Sequence, residues 1–314
     1  MRATSRLLLV ALLLTTPFLH AAPPAPASAA APLQVVADDG HGLVLWSKLP
    51  PQPKGVILLL HGRTWSARPN FDLQVAGQPR SVLDALAHAG YAAYALDQRG
   101  YGASPRDASG WLEPERAVAD LAATTALLRQ RHPRLPPPVL VGYSQGALTA
   151  LLAAQRAPQA YSAIVLYGFP ADVDQPRPAD PGTPRPARAR TTAQAAAADF
   201  VVPGAAAEAV VQAYVSQALA SDPVRVDWRH TEQFAFQPAQ VTTPTLLLHG
   251  AADGYVRGEA LARLFTRLGT ADRSWVVLPD ADHAAHVEDA QPAWIAAIVD
   301  FIERPRPPLP AAAP

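Results

Sequence analysis

The sequence predicts an α/β fold: a mostly parallel sheet with helices on both faces, plus a mainly helical insertion. Three observations predict it. Short runs that are apolar throughout alternate with segments whose apolar residues recur at helical spacing, the order of repeated βαβ units. The apolar runs lead into turns that carry Gly, His or Asp. The rhythm breaks once, over residues 171–238, and then resumes.

Leu33–Ala37 and Leu43–Leu49 predict an opening hairpin across His41-Gly42. Lys54–Leu60 (KGVILLL) is apolar on both faces, which suits a parallel strand covered by helices, and it runs into His61-Gly62. Ser81–Ala89 has helical spacing and stops at Gly90. Tyr91–Leu96 is the next strand, ending at Asp97, and Arg116–Arg131 is a long helix closed by Pro133. Pro138–Val141 is a strand leading into Gly142, Ala147–Ala157 a helix, and Ala163–Tyr167 another strand. After residue 240 come a strand at Thr245–Leu248, a helix at Gly258–Leu268, a strand at Ser274–Leu278 and a last helix at Ala290–Ile302. These segments place the core in residues 33–170 and 239–303.

The insertion at 171–238 opens with prolines at 170, 176, 178, 181, 184 and 186, which exclude helix and central strand there. Thr192–Asp199 and Ala205–Ala220 then predict helices, so the segment is expected to be a cap or lid, not a bare loop. Its apolar residues, among them Phe200, Val210, Tyr214, Leu219, Trp228, Phe234 and Phe236, predict a mostly apolar pocket suited to small or medium uncharged molecules. LLLHG occurs at 58–62 and at 246–250, as two similar strand ends and not as a duplication.

The two ends are not expected to belong to the fold. Arg2 and Arg6, the apolar run Leu7–Leu14 and the small residues after it predict a secretory signal within 1–29, with cleavage after Ala21, Ala22 or Ala29. The apolar run is too short to span a bilayer, which takes about 20 residues. No Cys follows it, which excludes a lipoprotein anchor, so no stable membrane anchor is expected. Residues 304–314 predict a Pro/Ala-rich tail. Periplasmic or secreted location follows as an expectation.

Composition narrows the function classes. The 26 basic residues balance the 26 acidic ones, so there is no electrostatic reason to expect nucleic acid as a partner. The absence of Cys excludes a thiolate nucleophile and any zinc site that needs sulfur. His283 and His286 stand three apart, but no further ligand accompanies them at a recognisable zinc spacing, so neither metal nor organic cofactor is implied. Oligomeric state is left open.

The candidate chemistry lies at strand ends. Gly142-Tyr143-Ser144-Gln145-Gly146 follows a strand and opens a helix, the context in which a G-x-S-x-G turn exposes its Ser. A Ser hydroxyl needs a base, and the base an orienting acid, which follow in the order Ser, acid, base. Asp253 comes just after the strand Thr245–Leu248, and only His283 and His286 follow it. His283, directly after the last strand, is the expected base, and His286 a surface residue or a helix neighbour. Asp172 or Asp174 is a second position for the acid, while Asp280 and Asp282 are expected to cap a turn or helix. The backbone N–H groups of Gln145 and Arg63, with Thr64 behind Arg63, are the expected donors to an oxyanion. His61 is expected to support its loop, and Trp65 and Tyr143 to line the pocket. Asp97–Ser104 (DQRGYGAS) is expected to stabilise a turn.

With these residues in place the chain resembles an α/β-hydrolase-fold serine hydrolase. The matching pieces are His61-Gly62, D-x-R-G-x-G-x-S at Asp97–Ser104, GYSQG at 142–146, Asp253 and His283, spread from about 33 to 303. The resemblance implies that Ser144, Asp253 and His283 form a catalytic triad and that 171–238 is the cap; it is not specific for one substrate, and the expected one is a small to medium, ester-like molecule. Ser at the nucleophile position sets the chain apart from haloalkane dehalogenases and epoxide hydrolases. GYSQG also occurs in cutinases, but those are usually capless and disulfide-bonded. An amidase, aminopeptidase or acyltransferase could use the same triad, and a silent binding protein could use the same fold.

Overall fold

The computed structural model describes residues 30–175, 182, 184–229 and 234–305. The proposed leader at 1–29, most of the tail at 304–314 and three of the prolines at the start of the insertion (176, 178 and 181) lie outside them.

Ten strands and eight α-helices are present among these residues. Eight strands form one sheet in the order β1-β2-β4-β3-β6-β7-β9-β10. The hairpin β1 (Ala31–Val36) and β2 (Gly42–Lys48) forms an antiparallel edge. The other six, β4 (Tyr91–Asp97), β3 (Gly55–Leu60), β6 (Val139–Tyr143), β7 (Ala163–Tyr167), β9 (Thr245–Gly250) and β10 (Arg273–Leu278), run parallel. Strands β4, β6, β7 and β9 are buried along their whole length, as expected where both faces are covered.

The period-2 pleat divides each central strand between two cores. Val56, Leu58 and Leu60 of β3 face one side, with Leu121 of α3 (Pro114–Arg131), Leu151 of α4 (Gln145–Arg156) and Leu264 of α7 (Gly258–Arg267). Ile57 and Leu59 face the other, with Phe71 of α1 (Ala67–Phe71), Leu83 of α2 (Val82–His88) and Trp294 of α8 (Gln291–Glu303). Each such fully buried side chain contributes roughly 1.5–3 kcal/mol of hydrophobic stabilisation.

Local signals locate the helix ends. Ser81 caps α2 by accepting from the Asp84 N–H, and Thr192 caps α5 (Ala193–Ala197) by accepting from Ala195. Helix α4 begins at Gln145, two residues earlier than the apolar spacing indicates, so it starts directly after Ser144. Helix α1 is an addition that periodicity did not reveal, because one turn is too short to show a period.

Between β7 and β9 the described residues contain α5, α6 (Glu208–Ser221) and β8 (Asp227–Trp228), which pairs with β5 (Trp111–Leu112). The two helices are shorter than the sequence indicates. Their buried residues Ala196, Val210, Tyr214 and Ala218 pack on Trp65 and Leu73 after β3 and on Ala284 and Val287 after β10. Trp228 and Phe234 join the sheet's own core instead. Much of the apolar surface read as pocket lining is therefore used in packing, while Val201 stays exposed.

The strand order places the site. Chain connection runs from β3 to β4 on one side, whereas β6 adds on the other, so the carboxyl ends of β3 and β6 open a crevice at the point where the order reverses.

Candidate active site

Ser144 occupies the junction of β6 and α4 with φ 54° and ψ −118°, a conformation that L side chains seldom adopt. Close backbone packing explains it. A Cβ on Gly142 would lie 2.4 Å from the Gly146 carbonyl oxygen, and one on Gly146 would lie 2.3 Å from that of Leu60. Glycine at both positions lets the helix start against the strand. The Ser144 N–H donates to the Tyr167 carbonyl at 2.8 Å, tying the turn to β7.

On one side of Ser144 lies the loop after β3. A Cβ on Gly62 would be 3.2 Å from the Ser144 Cβ. The loop is held by buried polar groups. Burial pushes the His61 imidazole down to about 4, so it is neutral. Its Nε2 accepts from the Gln98 N–H at 3.1 Å, which leaves the Nδ1–H to donate to the Gly62 carbonyl at 2.8 Å. The Asn70 amide donates to the carbonyls of Trp65 and Ser66. Asp97 accepts from Ala67 N–H, Ala103 N–H and Trp46 Nε1, and burial raises its carboxyl to about 6. The Asp97–Ser104 turn thus binds loops together, and Arg99 anchors it to Asp120 and Asp39.

On the other side the loops after β9 and β10 bring Asp253 and His283 together. His283 Nδ1 and Asp253 Oδ2 are 2.8 Å apart, and both residues are buried. The second Asp253 oxygen accepts from Tyr255 N–H. Tyr167 OH donates to the His283 carbonyl at 2.6 Å, and the rings of Tyr143 and Tyr255 lie 4.8 and 4.6 Å from the imidazole. Asp172 and Asp174 point elsewhere, to Arg263 and Arg267, so the structure brings neither to His283. Among the described residues no hydrogen bond joins the Ser144 hydroxyl, which is half-buried, to His283.

Gln145, the first residue of α4, has no intrahelical partner for its N–H. Trp65 and Tyr143 are both buried. Trp65 packs between core and insertion, and Tyr143 stacks on Tyr167 at 5.1 Å beneath the site.

His286 is not a surface residue. It is buried among Tyr143, Tyr167 and Trp294, and burial pushes its pKa down to about 3. It lies in a segment of almost wholly buried residues, 281–288, that has no period to reveal it. Asp282 does more than cap. It accepts from Ala284 N–H and also from the Val201 and Val202 N–H groups, fastening the insertion beside His283.

Three further residues were not anticipated. A Cβ on Gly168 would lie 2.8 Å from His283 Cε1 and 3.2 Å from Asp253 Oδ2. Its position directly after a strand at the active end was the available signal. Asp199 of the insertion hydrogen-bonds Tyr255, and burial raises its carboxyl while the nearby His283 opposes the shift. Nothing local in the sequence marks it. Glu288 is hydrogen-bonded to Asp282, and burial and that neighbour push its carboxyl up to about 9.

The fold and this arrangement define an α/β hydrolase. The chain belongs to the family described as serine aminopeptidase, S33, whose profile it matches over residues 51–290. A segment of 122 residues is 34% identical to a monoacylglycerol lipase of Mycolicibacterium smegmatis, covering 37% of this chain and 38% of that protein's length. Among solved structures, a serine hydrolase involved in carbazole degradation superposes with a TM-score of 0.62 at 17% identity, over 87% of this chain and 99% of the other. A thermophilic esterase from Thermogutta terrifontis gives 0.59 at 18% identity, over 87% and 98%. At those identities the two structures share the fold with this chain.

Gly168→Ala should fold with reduced stability and lose most of its hydrolytic activity, because the methyl displaces the His283 ring from Asp253 in addition to straining a φ of +59°. Full kcat in the purified variant would contradict the packing described. Glu288 releases its proton near 4.5 when unfolded and near 9 when folded, so stability falls as pH rises through that window. Glu288→Gln keeps a donor for Asp282 without the ionisation. Its melting temperature relative to wild type should climb between about pH 5 and about pH 9, and a pH-independent difference would contradict this.

Proposed function

We propose that this protein is an exported serine hydrolase that cleaves a small to medium carboxylic ester through an acyl-enzyme on Ser144. The observation that carries the reading is the 2.8 Å His283–Asp253 hydrogen bond at the sheet end where the strained Ser144 turn lies. In this reading Asp253 holds the Nδ1–H tautomer, leaving Nε2 to take the Ser144 proton as Oγ attacks the carbonyl carbon. The oxyanion accepts from the N–H groups of Gln145 and Arg63. His283 returns the proton to the departing alcohol, then takes one from water as the water attacks the acyl carbon. The acid leaves and Ser144 is restored. Hydrogen bonds of this kind tighten when substrate binds, which accommodates an unbonded Ser144 hydroxyl in the free protein.

Ester as the substrate class is supported by the monoacylglycerol lipase relative. Small to medium size is supported by the insertion, which packs on the loops after β3 and β10 that flank the Ser144 turn. The family's aminopeptidase description supports a second reading, and Asp199 favours it: a half-buried carboxylate near His283 could pair with a substrate ammonium. Export rests on the order of basic, apolar and small residues in 1–29.

Ser144→Ala should lower kcat on p-nitrophenyl butyrate by several orders of magnitude while the circular dichroism spectrum is retained. A variant with near wild-type turnover would refute the assignment. Amino-acid p-nitroanilides in the same assay separate the two readings, since an aminopeptidase would prefer them and would lose that preference in Asp199→Asn. Protein recovered from a bacterial periplasm should begin between residues 22 and 30, and retention of Met1 on soluble protein would contradict export.

A further inference from the structure

We propose that Tyr101 is a positioning residue for the oxyanion donor Arg63, and that Trp228 makes this positioning depend on the insertion. The inference rests on the serine-hydrolase reading, in which the Arg63 N–H faces the oxyanion.

The Arg63 N–H belongs to the peptide plane that also carries the Gly62 carbonyl. His61 Nδ1–H donates to that carbonyl at 2.8 Å. The next plane carries the Arg63 carbonyl, which accepts a hydrogen bond from the Tyr101 hydroxyl. Peptide planes are stiff, so fixing the carbonyls on both sides of the Arg63 Cα fixes its φ and ψ and aims its N–H. The two holders also brace each other, with the His61 and Tyr101 rings edge to face at 4.5 Å and 61°.

The direction of the Tyr101 proton is set from the insertion. A phenol has one proton and can both donate and accept, whereas an indole N–H can only donate. Trp228 Nε1 donates to Tyr101 OH at 2.9 Å, so the phenol proton must point away from the indole, and it points at Arg63. Tyr101 and Trp228 are both buried, so the indole N–H and the phenol have each other as partners, while Arg63 itself lies toward the surface. Trp228 belongs to β8, which pairs with β5. A second tie runs beside it: Asp222, at the end of α6, accepts from the N–H groups of Ser66 and Gly102, so the insertion grips both loops that the clamp joins. The oxyanion loop and the insertion are therefore tied at two points, of which the Tyr101 hydroxyl is the one that reaches the Arg63 peptide.

Tyr101→Phe keeps the ring and removes the hydroxyl. With p-nitrophenyl butyrate it should lower kcat about tenfold to a hundredfold, since complete loss of an oxyanion donor costs about a hundredfold to a thousandfold, and change KM less than about twofold. The Ki of a trifluoromethyl ketone, whose adduct places an oxyanion in the hole, should rise by the factor by which kcat/KM falls, while inhibition by butyrate stays unchanged. Trp228→Phe should show a smaller version of the same pattern, and the double variant should be no slower than Tyr101→Phe alone. If Tyr101→Phe does not fold, Trp228→Phe read in the same way decides. A folded variant with unchanged kcat, a rise confined to KM, or additive effects in the double variant would overturn the proposal while leaving the serine-hydrolase reading intact. Undiminished turnover by Ser144→Ala would overturn that reading, and the clamp with it.

Discussion

The site depends on one close backbone approach. Strand β6 and helix α4 meet so tightly at Gly142 and Gly146 that no side chain fits at either position, and the residue between strand and helix is driven to positive φ. Such a conformation costs on the order of 1–3 kcal/mol for a residue other than glycine. The surrounding sheet enforces it, through the Ser144 N–H bonded to β7 and the Gly146 position wedged against the carbonyl of Leu60 in β3. Three adjacent parallel strands therefore determine where one hydroxyl stands. The loops after β3, β9 and β10 then converge on that point because the carboxyl ends of parallel strands share one edge of the sheet.

Buried polar groups hold those loops. Asp222 and Asp282 each accept two backbone N–H groups from segments distant in sequence, and Asp97 accepts one from Ala67 beside a nearer one from Ala103. Buried carboxylates are costly unless satisfied in this way, and a satisfied one specifies a single arrangement of the chains around it. Burial raises the carboxyls of Asp97 and Asp222, and the N–H groups that each accepts oppose that rise. The insertion is fastened at both flanks by this means, through Asp222 on the side of Arg63 and through Asp282 on the side of His283.

Much of this was legible in the sequence. Runs such as Lys54–Leu60 and Ala163–Tyr167 announce buried parallel strands because both faces of a strand must be apolar there, and GYSQG between a strand and a helix announces the turn. Asp253 and His283 could be paired because each directly follows a strand. The fastening of the insertion was not legible, since Asp199, Asp222 and Trp228 act through contacts with residues some tens to more than a hundred positions away. His286 was misplaced for a related reason. A His near a helix start looks solvated in sequence, and only the convergence of Tyr143, Tyr167 and Trp294 buries it. Trp65 and Tyr143 were expected to line a pocket, but their rings are taken up by packing.

The central claim is that Ser144 is an activated nucleophile served by His283 and Asp253. It is tested most directly by treating the active protein with a fluorophosphonate and locating the adduct by peptide mass spectrometry. The account predicts one adduct per chain, on Ser144, formed at a rate that falls sharply in His283→Ala. An adduct on another residue, or an active protein that takes up none, would contradict it.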